Sequence, residues 1–174
     1  MKIRDTGRLE TWDRFFDYLI NTFYYRFRQQ LNRPFGSFQS EPVIRFGGFV
    51  LEEPWIEDSK PRVRSGWHDR EPFCRLGKLT VYNRYIYLNR LFLYQQLGLQ
   101  IYWLDNKEFT ELFNLTNLAK VLAHELGHTI LTDINPASQE INGGHGKEHD
   151  QIFQELLKMI ETSPEWKELK SFWK

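Results

Sequence analysis

The first long pattern of apolar positions along the chain has the spacing of a helix. Large apolar residues recur at three- and four-residue intervals, at Leu9, Trp12, Phe16, Leu19, Phe23 and Phe27. This spacing places one continuous apolar stripe on one side of an α-helix. The sequence therefore predicts a long amphipathic helix over residues 9–31, which we expect to pack under a sheet.

A block of short strands is predicted next. Runs of β-branched and aromatic residues, separated by proline and glycine, occupy residues 43–46, 49–51, 63–67, 79–82 and 85–88. The last two runs have the composition most typical of strands. The intervening residues 52–60 are acidic and broken by proline, which indicates a surface loop.

Two further helices are predicted in the second half of the chain. The first covers residues 116–131, with Thr116 as its N-cap, and the second covers residues 147–160 and ends before Pro164. The proline and three glycines of residues 132–146 indicate a loop between them.

This order of elements predicts an α+β fold in a single domain over residues 1–174. Residues 1–76 supply the N-terminal helix and the first strands, and residues 77–160 form the part that bears the motifs described below. Hydrophobic residues make up 41% of the chain and aromatic residues 16%, a composition that excludes a disordered protein.

Charge and cysteine content narrow the class of protein. The chain has 23 basic and 23 acidic residues, so its net charge demands no polyanionic partner. Cys74 is the only cysteine, which excludes an internal disulfide and a cysteine zinc ribbon and fits a reducing compartment. No apolar run has the length of a signal peptide core or a membrane span. We therefore expect a cytoplasmic protein without a membrane partner.

The segment His124-Glu125-Leu126-Gly127-His128 carries the clearest chemical signal. Histidines four positions apart lie one turn apart on the same face of a helix, so both rings can bind one metal ion. A glutamate beside the first histidine can reach a metal-bound water without binding the metal itself. The segment predicts a zinc site with Glu125 as general base, although two exposed helix histidines beside an ion-paired glutamate would leave the same pattern.

A catalytic zinc ion needs a third protein ligand, and His145, His149 and Glu155 are the candidates. His145 is favoured because the flanking glycines let the backbone bring its ring to the metal at the start of a helix. His149 is an alternative ligand, a residue that supports the ligands, or a donor to the reaction's oxyanion. His68 is expected in a surface loop, and a loop that lies over the active-site cleft is the alternative.

An oxyanion donor is also expected among the tyrosines of the two strongest strands. The candidates besides His149 are Tyr82, Tyr85 and Tyr87, and the sequence does not choose between them.

Three segments resemble the SprT-like zinc metallopeptidases, which include proteases of DNA–protein crosslinks. They are Arg-Tyr-Ile-Tyr-Leu-Asn at residues 84–89, Val-Leu-Ala-His-Glu-Leu-Gly-His at residues 121–128, and Gly-His-Gly-Lys-Glu at residues 144–148. The resemblance covers residues 77–160. It implies a zincin-like domain with a small mixed or antiparallel sheet, Zn²⁺ as cofactor, His124, His128 and His145 as ligands, and Glu125 as the catalytic residue.

The chain departs from the family pattern at two positions and at its end. Position 149 is histidine where the family usually has phenylalanine, and Gly127 replaces a small alanine or cysteine. The cysteine zinc ribbon found after the domain in many relatives has no counterpart in this sequence.

The function expected from these features is that of a zinc-dependent endopeptidase, in which Glu125 activates a zinc-bound water for attack on a peptide bond. The partner is a protein substrate, laid as an added strand along residues 85–88. Single-stranded or crosslinked DNA is a secondary expectation. The first 104 residues carry 16 basic against 11 acidic residues, with Trp55, Trp67 and Tyr82 as stacking groups. A solvated face of arginines interspersed with carboxylates is the competing interpretation.

Three other functions compete with this one. An ImmA/IrrE-like regulatory metallopeptidase that cleaves a repressor would use Glu155 as its third ligand. A regulatory module could bind zinc without activity, although such a site has no use for Glu125. A metal-dependent nuclease would need a carboxylate-rich magnesium site, which the sequence does not contain.

Overall fold

The architecture is that of a computed structural model, which describes residues 3, 5–31, 43–77, 79–100, 107–134 and 145–174. Its helices are α1 Leu9–Leu31, α2 Lys107–Leu112, α3 Leu115–Ile134, α4 Lys147–Thr162 and α5 Pro164–Phe172. Its strands are β1 Val43–Val50, β2 Trp55–Glu57, β3 Lys60–Arg62, β4 Gly66–Leu76 and β5 Leu79–Asn89, and a 3₁₀ turn covers Arg90–Leu93. The predicted α+β class is confirmed.

Helix α1 packs against β1 through its apolar stripe, as predicted. Phe16 contacts both Phe46 and Phe49, with ring centroids 5.9 and 4.9 Å apart. On the same side, Asp13 and Asp17 accept hydrogen bonds from the backbone N–H groups of Phe49 and Phe46. Apolar contact and backbone hydrogen bonds together fix the helix under the sheet.

Strand β5 is the centre of a three-stranded sheet in the order β1-β5-β4. It runs parallel to β1 and antiparallel to β4. The strands predicted separately at residues 43–46 and 49–51 are one strand with a bulge at Gly47, and the runs at 79–82 and 85–88 are also one strand. A Cβ atom at Gly47 would collide with the ring of Tyr87.

Two predictions about the segment before β5 were wrong. Residues 66–76 form β4, whereas the expected strand was placed at 63–67. Residues 52–60, expected to be a loop, contain most of the exposed β2–β3 hairpin, whose turn at Asp58 and Ser59 has positive φ angles of 50° and 60°. Strand β4 exposes a polar run, and β2 and β3 are exposed strands of only three residues, so none of them shows the apolar alternation from which strands are predicted.

Asn89 ties this hairpin to the sheet. Its side chain is fully buried and donates to the carbonyl oxygens of Glu52 and Arg64, at 3.2 and 2.7 Å. Its Oδ1 atom accepts from the N–H of Leu91 and so caps the 3₁₀ turn. Its own N–H donates to the carbonyl oxygen of Ser65. Asn89 therefore makes hydrogen bonds with three backbone carbonyls and one backbone N–H group close to the start of β4.

The helices of the second half lie close to their predicted positions. Helix α3 begins at Leu115, and its cap is Asn114, whose Oδ1 atom accepts from the N–H of Asn117. The assignment of Thr116 as the N-cap was wrong because Thr116 lies inside the first turn. Residues 132–134 belong to α3, and the rest of the predicted loop up to residue 144 lies outside the described residues.

Helix α5 was not predicted, although its start carries a capping signal. Ser163 follows α4 directly and accepts a hydrogen bond from the N–H of Trp166, and Pro164 occupies the first turn. Proline is favoured at this position because its missing N–H would be unsatisfied there in any case. No helix among the described residues is long and apolar enough to cross a membrane.

A buried polar network joins α1, β5 and α3. The guanidinium of Arg84 donates to the carbonyl oxygen of Thr129 and lies 2.5 Å from Asp133, while the Tyr24 hydroxyl donates to Asp133 at 2.6 Å. Burial raises the pKa of Asp133, and the neighbouring Arg84 charge opposes that shift. Because the network spans three elements, it sets how α3 lies on the sheet.

Replacement of Tyr24 by phenylalanine removes one hydrogen bond from this network and leaves the buried Asp133 oxygen without that donor. We expect Tyr24→Phe to lower the free energy of unfolding by about 1–3 kcal/mol, measured by chemical denaturation. Tyr25→Phe is the matched control, since Tyr25 is 39% exposed and should change stability little. Equal losses in the two variants would contradict a stabilising role for the network.

Candidate metal centre

Helix α3 presents His124 and His128 on one face, one turn apart. Their Nε2 atoms lie 3.1 Å from each other, and their rings meet edge to face. The His128 side chain is buried, and His124 is half-buried at the edge of a cavity. The helix therefore brings two ring nitrogens to one point, as the spacing predicts.

His145 supplies a third ring nitrogen at the same point. It lies just before α4, whose N-cap is Gly146. Its Nε2 atom is 3.0 Å from that of His128 and 3.3 Å from that of His124. Three nitrogens bound tetrahedrally at 2.0–2.1 Å from a zinc ion would lie about 3.3 Å apart. The observed separations therefore fit one small cation better than they fit three independent side chains.

His149 lies on the other side of the pair. It is 2% exposed, and its ring centroid is 4.1 Å from that of His128. Its Nε2 atom lies 3.1 Å from the carbonyl oxygen of His124, and because a carbonyl only accepts, this nitrogen donates. A Cβ atom at Gly127 would lie 3.2 Å from the same nitrogen, so glycine is what lets the ring pack this closely.

His124, His128 and His149 also lie close enough to hold a metal ion, with ligand atoms within 4.8 Å of one another. The four histidines therefore offer two overlapping sets of three. The sets differ in the contacts of the third histidine. Nε2 of His145 lies beside the Nε2 atoms of His124 and His128, whereas Nε2 of His149 is hydrogen-bonded to a backbone carbonyl.

The two helix histidines are held in their neutral form. Burial, reinforced by neighbouring histidines, lowers the pKa of His128 to about 3. Burial also lowers the pKa of His124. Neutral imidazole is the form that binds a metal ion, so these rings need not lose a proton near neutral pH before binding one.

Glu125 is almost fully buried, and its carboxylate contacts a histidine that was expected in a loop rather than at this site. The Oε2 atom lies 2.8 Å from Nδ1 of His68, whose ring stacks on that of His128 with centroids 4.8 Å apart. His68 was expected in a loop, but it belongs to β4, opposite Ile86 of β5. His68 and the helix motif are far apart in the sequence, and the pairing of β4 with β5 places His68 beside Glu125.

Two cavities lie between β4 and α3. One, of 290 Å³, is lined by Ser65, Gly66, Lys120, Val121, His124, Glu125 and Phe153. The other, of 190 Å³, is lined by His68, Asp69, Arg70, Arg84, Thr129 and Thr132. Glu125 therefore shares a cavity with His124, and its partner His68 lines the second one.

Tyr87, one of the candidate oxyanion donors, lies on the face of the sheet opposite to Glu125. Tyr87 pairs with Trp67 and stacks on it with ring centroids 5.5 Å apart, and Tyr85 lies on the same face. His68, the neighbour of Trp67, points to the opposite face, toward α3. Because side chains alternate along a strand, Tyr87 faces away from Glu125.

The structure also places the alternative third ligand, Glu155. Its side chain is exposed on α4, and its carboxylate accepts a hydrogen bond from Gln151. Among the described residues, no hydrogen bond or ion pair joins it to His124 or His128, whereas the His145 ring nitrogen lies within 3.3 Å of both of theirs. The alternative that needs Glu155 as a ligand is therefore not supported by this geometry.

The strand predicted to carry a substrate has no free edge. Strand β5 pairs along one side with β1 and along the other with β4, so the backbone of residues 85–88 has neighbours on both sides. Within the described sheet the outer strand beside α3 is β4. The location of the substrate strand on β5 was wrong for this reason.

Several arginines of the first half form ion pairs with carboxylates. Arg26 pairs with Glu165, Arg64 with Glu52, and Arg84 with Asp133. The proposed stacking groups are partly engaged too. The guanidinium groups of Arg64 and Arg70 lie over the rings of Trp67 and Tyr82, and Trp55 is exposed on the hairpin.

The site is therefore a cluster of histidine nitrogens with a buried carboxylate, and a cavity lies beside them. A scan of the chain against protein-family models and searches among curated proteins and solved structures found no match. The chemistry of the site therefore carries the functional inference.

The two sets of three histidines predict different effects on metal binding. If His145 is the third ligand, His145→Ala should lower zinc affinity far more than His149→Phe, measured by competition with a chelating dye. Loss of His149 removes only a supporting hydrogen bond, and such a loss typically lowers metal affinity roughly 10–100-fold. Circular dichroism controls for folding. A His149→Phe variant that loses zinc while His145→Ala keeps it would reverse the assignment.

Proposed function

We propose that the protein is a zinc-dependent endopeptidase with a zincin-like domain of the SprT-like kind. The observation that carries this proposal is the convergence of three histidine nitrogens, together with the buried carboxylate of Glu125 that lines the same cavity as His124. A site that only stabilised the fold would have no use for such a carboxylate and would usually close its fourth coordination position.

His124, His128 and His145 are the proposed zinc ligands. Their Nε2 atoms lie within 3.0–3.3 Å of one another, and the corresponding atom of His149 is already bonded to a backbone carbonyl. Three neutral imidazoles with one open position are a donor set typical of catalytic zinc. His145 is exposed, so this ligand lies on the side open to solvent.

A bound zinc ion would polarise a peptide carbonyl and lower the pKa of a water molecule toward neutrality. Glu125 then takes the proton of the attacking water and delivers it to the leaving amine. Its Oε2 atom is occupied by His68, which leaves Oε1 for this proton. His149 supports the ligands through its hydrogen bond to the carbonyl of His124.

The substrate is proposed to lie along β4. This strand is the outer strand beside α3, and its first residue, Gly66, lines the cavity that contains Glu125. An extended peptide added to the edge of a sheet gains backbone hydrogen bonds without regard to its sequence. Gly66 also allows the strand to approach the helix, because a Cβ atom there would lie 2.5 Å from Val121.

Two features favour peptide bonds over nucleic acid as the target. The metal-capable group in the described part of the chain consists of histidines, whereas magnesium nucleases depend on carboxylate oxygens. The ion pairs of Arg26, Arg64 and Arg84 leave less positive charge for phosphate contacts. Action on DNA-associated proteins remains a secondary part of the proposal.

Replacement of Glu125 by glutamine tests the proposed chemistry, because the amide keeps the shape of the side chain but cannot act as a base. With zinc bound, we expect the wild-type protein to cleave an unstructured protein such as casein. Glu125→Gln should retain zinc and lose roughly 10²–10⁴-fold in rate, measured by electrophoresis and mass spectrometry of the products.

Glu155→Gln is the matched control, since it makes the same chemical change on an exposed part of α4 and should leave cleavage intact. Retained cleavage in Glu125→Gln, or none in the zinc-loaded wild-type protein with and without single-stranded DNA, would contradict the proposal. Metal-dependent cutting of plasmid DNA would favour the nuclease instead.

A further inference from the structure

The contact between His68 and Glu125 has a role beyond packing. We propose that His68 is a positioning residue, which holds one oxygen of Glu125 and thereby presents the other to the attacking water. This inference rests on the proposed peptidase function. It depends on the 2.8 Å separation between Nδ1 of His68 and Oε2 of Glu125.

The chemistry of the two groups fixes the direction of this hydrogen bond. An ionised carboxylate has only acceptor atoms, so Nδ1 of His68 carries the hydrogen and donates it. The orientation of the ring is fixed by its neighbours. It stacks on His128 at an interplanar angle of 28°, and pairing of β4 with β5 places it opposite the buried Ile86.

The Glu125 side chain is held at its tip, where His68 contacts Oε2, and helix α3 fixes the backbone from which it extends. A carboxylate fixed in this way does not rotate freely, and its second oxygen, Oε1, is the one available as a base. Precise orientation of a reacting group contributes directly to rate.

The position of His68 in the fold gives the contact a second consequence. His68 belongs to β4, the strand along which the substrate is proposed to bind. Base and substrate would therefore be aligned by the same strand. About a third of the His68 side chain remains exposed, and a residue present only to fill the core would be buried more completely.

Two substitutions separate positioning from packing. His68→Leu fills similar space without a donor, and His68→Asn places an N–H group where Nδ1 lies. We expect His68→Leu to lower kcat roughly 10–100-fold with little change in KM or zinc content. His68→Asn should recover most of that loss. Arg75→Leu, an exposed change in the same strand, is the control and should match the wild-type protein.

Wild-type kcat in His68→Leu would overturn the inference, and so would equal losses in the leucine and asparagine variants. A rise in KM alone would also overturn it, because that result assigns His68 to substrate binding. Each variant is compared at equal zinc content, so that loss of metal is not mistaken for loss of positioning.

A measurement independent of activity separates this inference from the proposed function. Two-bond ¹H–¹⁵N correlation spectra of the zinc-loaded protein report which ring nitrogen of each histidine carries the hydrogen. We expect His68 in the Nδ1–H form in the wild-type protein and a shift of its signals in Glu125→Ala. An Nε2–H form in the wild-type protein would overturn the inference. A protein that shows the Nδ1–H form but cleaves nothing would contradict the peptidase proposal alone.

Discussion

Helix α3 is held from two sides through its own backbone carbonyls, and the geometry of the metal centre depends on this. From the sheet side, the guanidinium of Arg84 donates to the carbonyl of Thr129. From the side of α4, His149 donates to the carbonyl of His124. Carbonyls in the middle of a helix already accept one hydrogen bond each, and here each accepts a second from a buried side chain. The helix can therefore neither slide along the sheet nor rotate on α4 without breaking one of these contacts.

The consequence is a site whose ligand atoms are arranged by protein contacts. The close approach of α4 to α3 is helped by Gly127, because a Cβ atom there would lie 3.2 Å from the His149 ring and would push it outward. The same approach brings His145, just before α4, to the two helix histidines. Burial keeps His128 neutral, so placing the ring there does not leave a positive charge away from water. The positions of the ring nitrogens and the neutral form of His128 therefore both suit a metal ion before one binds.

The sequence predicts the helices and the motif well because their signals are local. The apolar stripe of α1 and the His-Glu-x-x-His spacing on α3 depend only on helical periodicity. Strand β4 escapes such analysis, since the run Asp69-Arg70-Glu71-Pro72 is polar and exposed. His68 was missed with it. The face on which Tyr87 lies could not be predicted either, because the direction of a strand side chain depends on a register that only the fold sets.

The buried amide of Asn89 has a consequence for the architecture outside the site. It binds the carbonyls of Glu52 and Arg64, and so closes the intervening hairpin at its base. The cost of closing a loop grows slowly with length, by about 0.6 kcal/mol for each doubling. The hairpin can therefore be shortened, extended or exchanged for a foreign peptide while β4 starts at the same place. It offers an insertion point for a fluorescent reporter or an affinity handle, close to the cavity that Ser65 and Gly66 line.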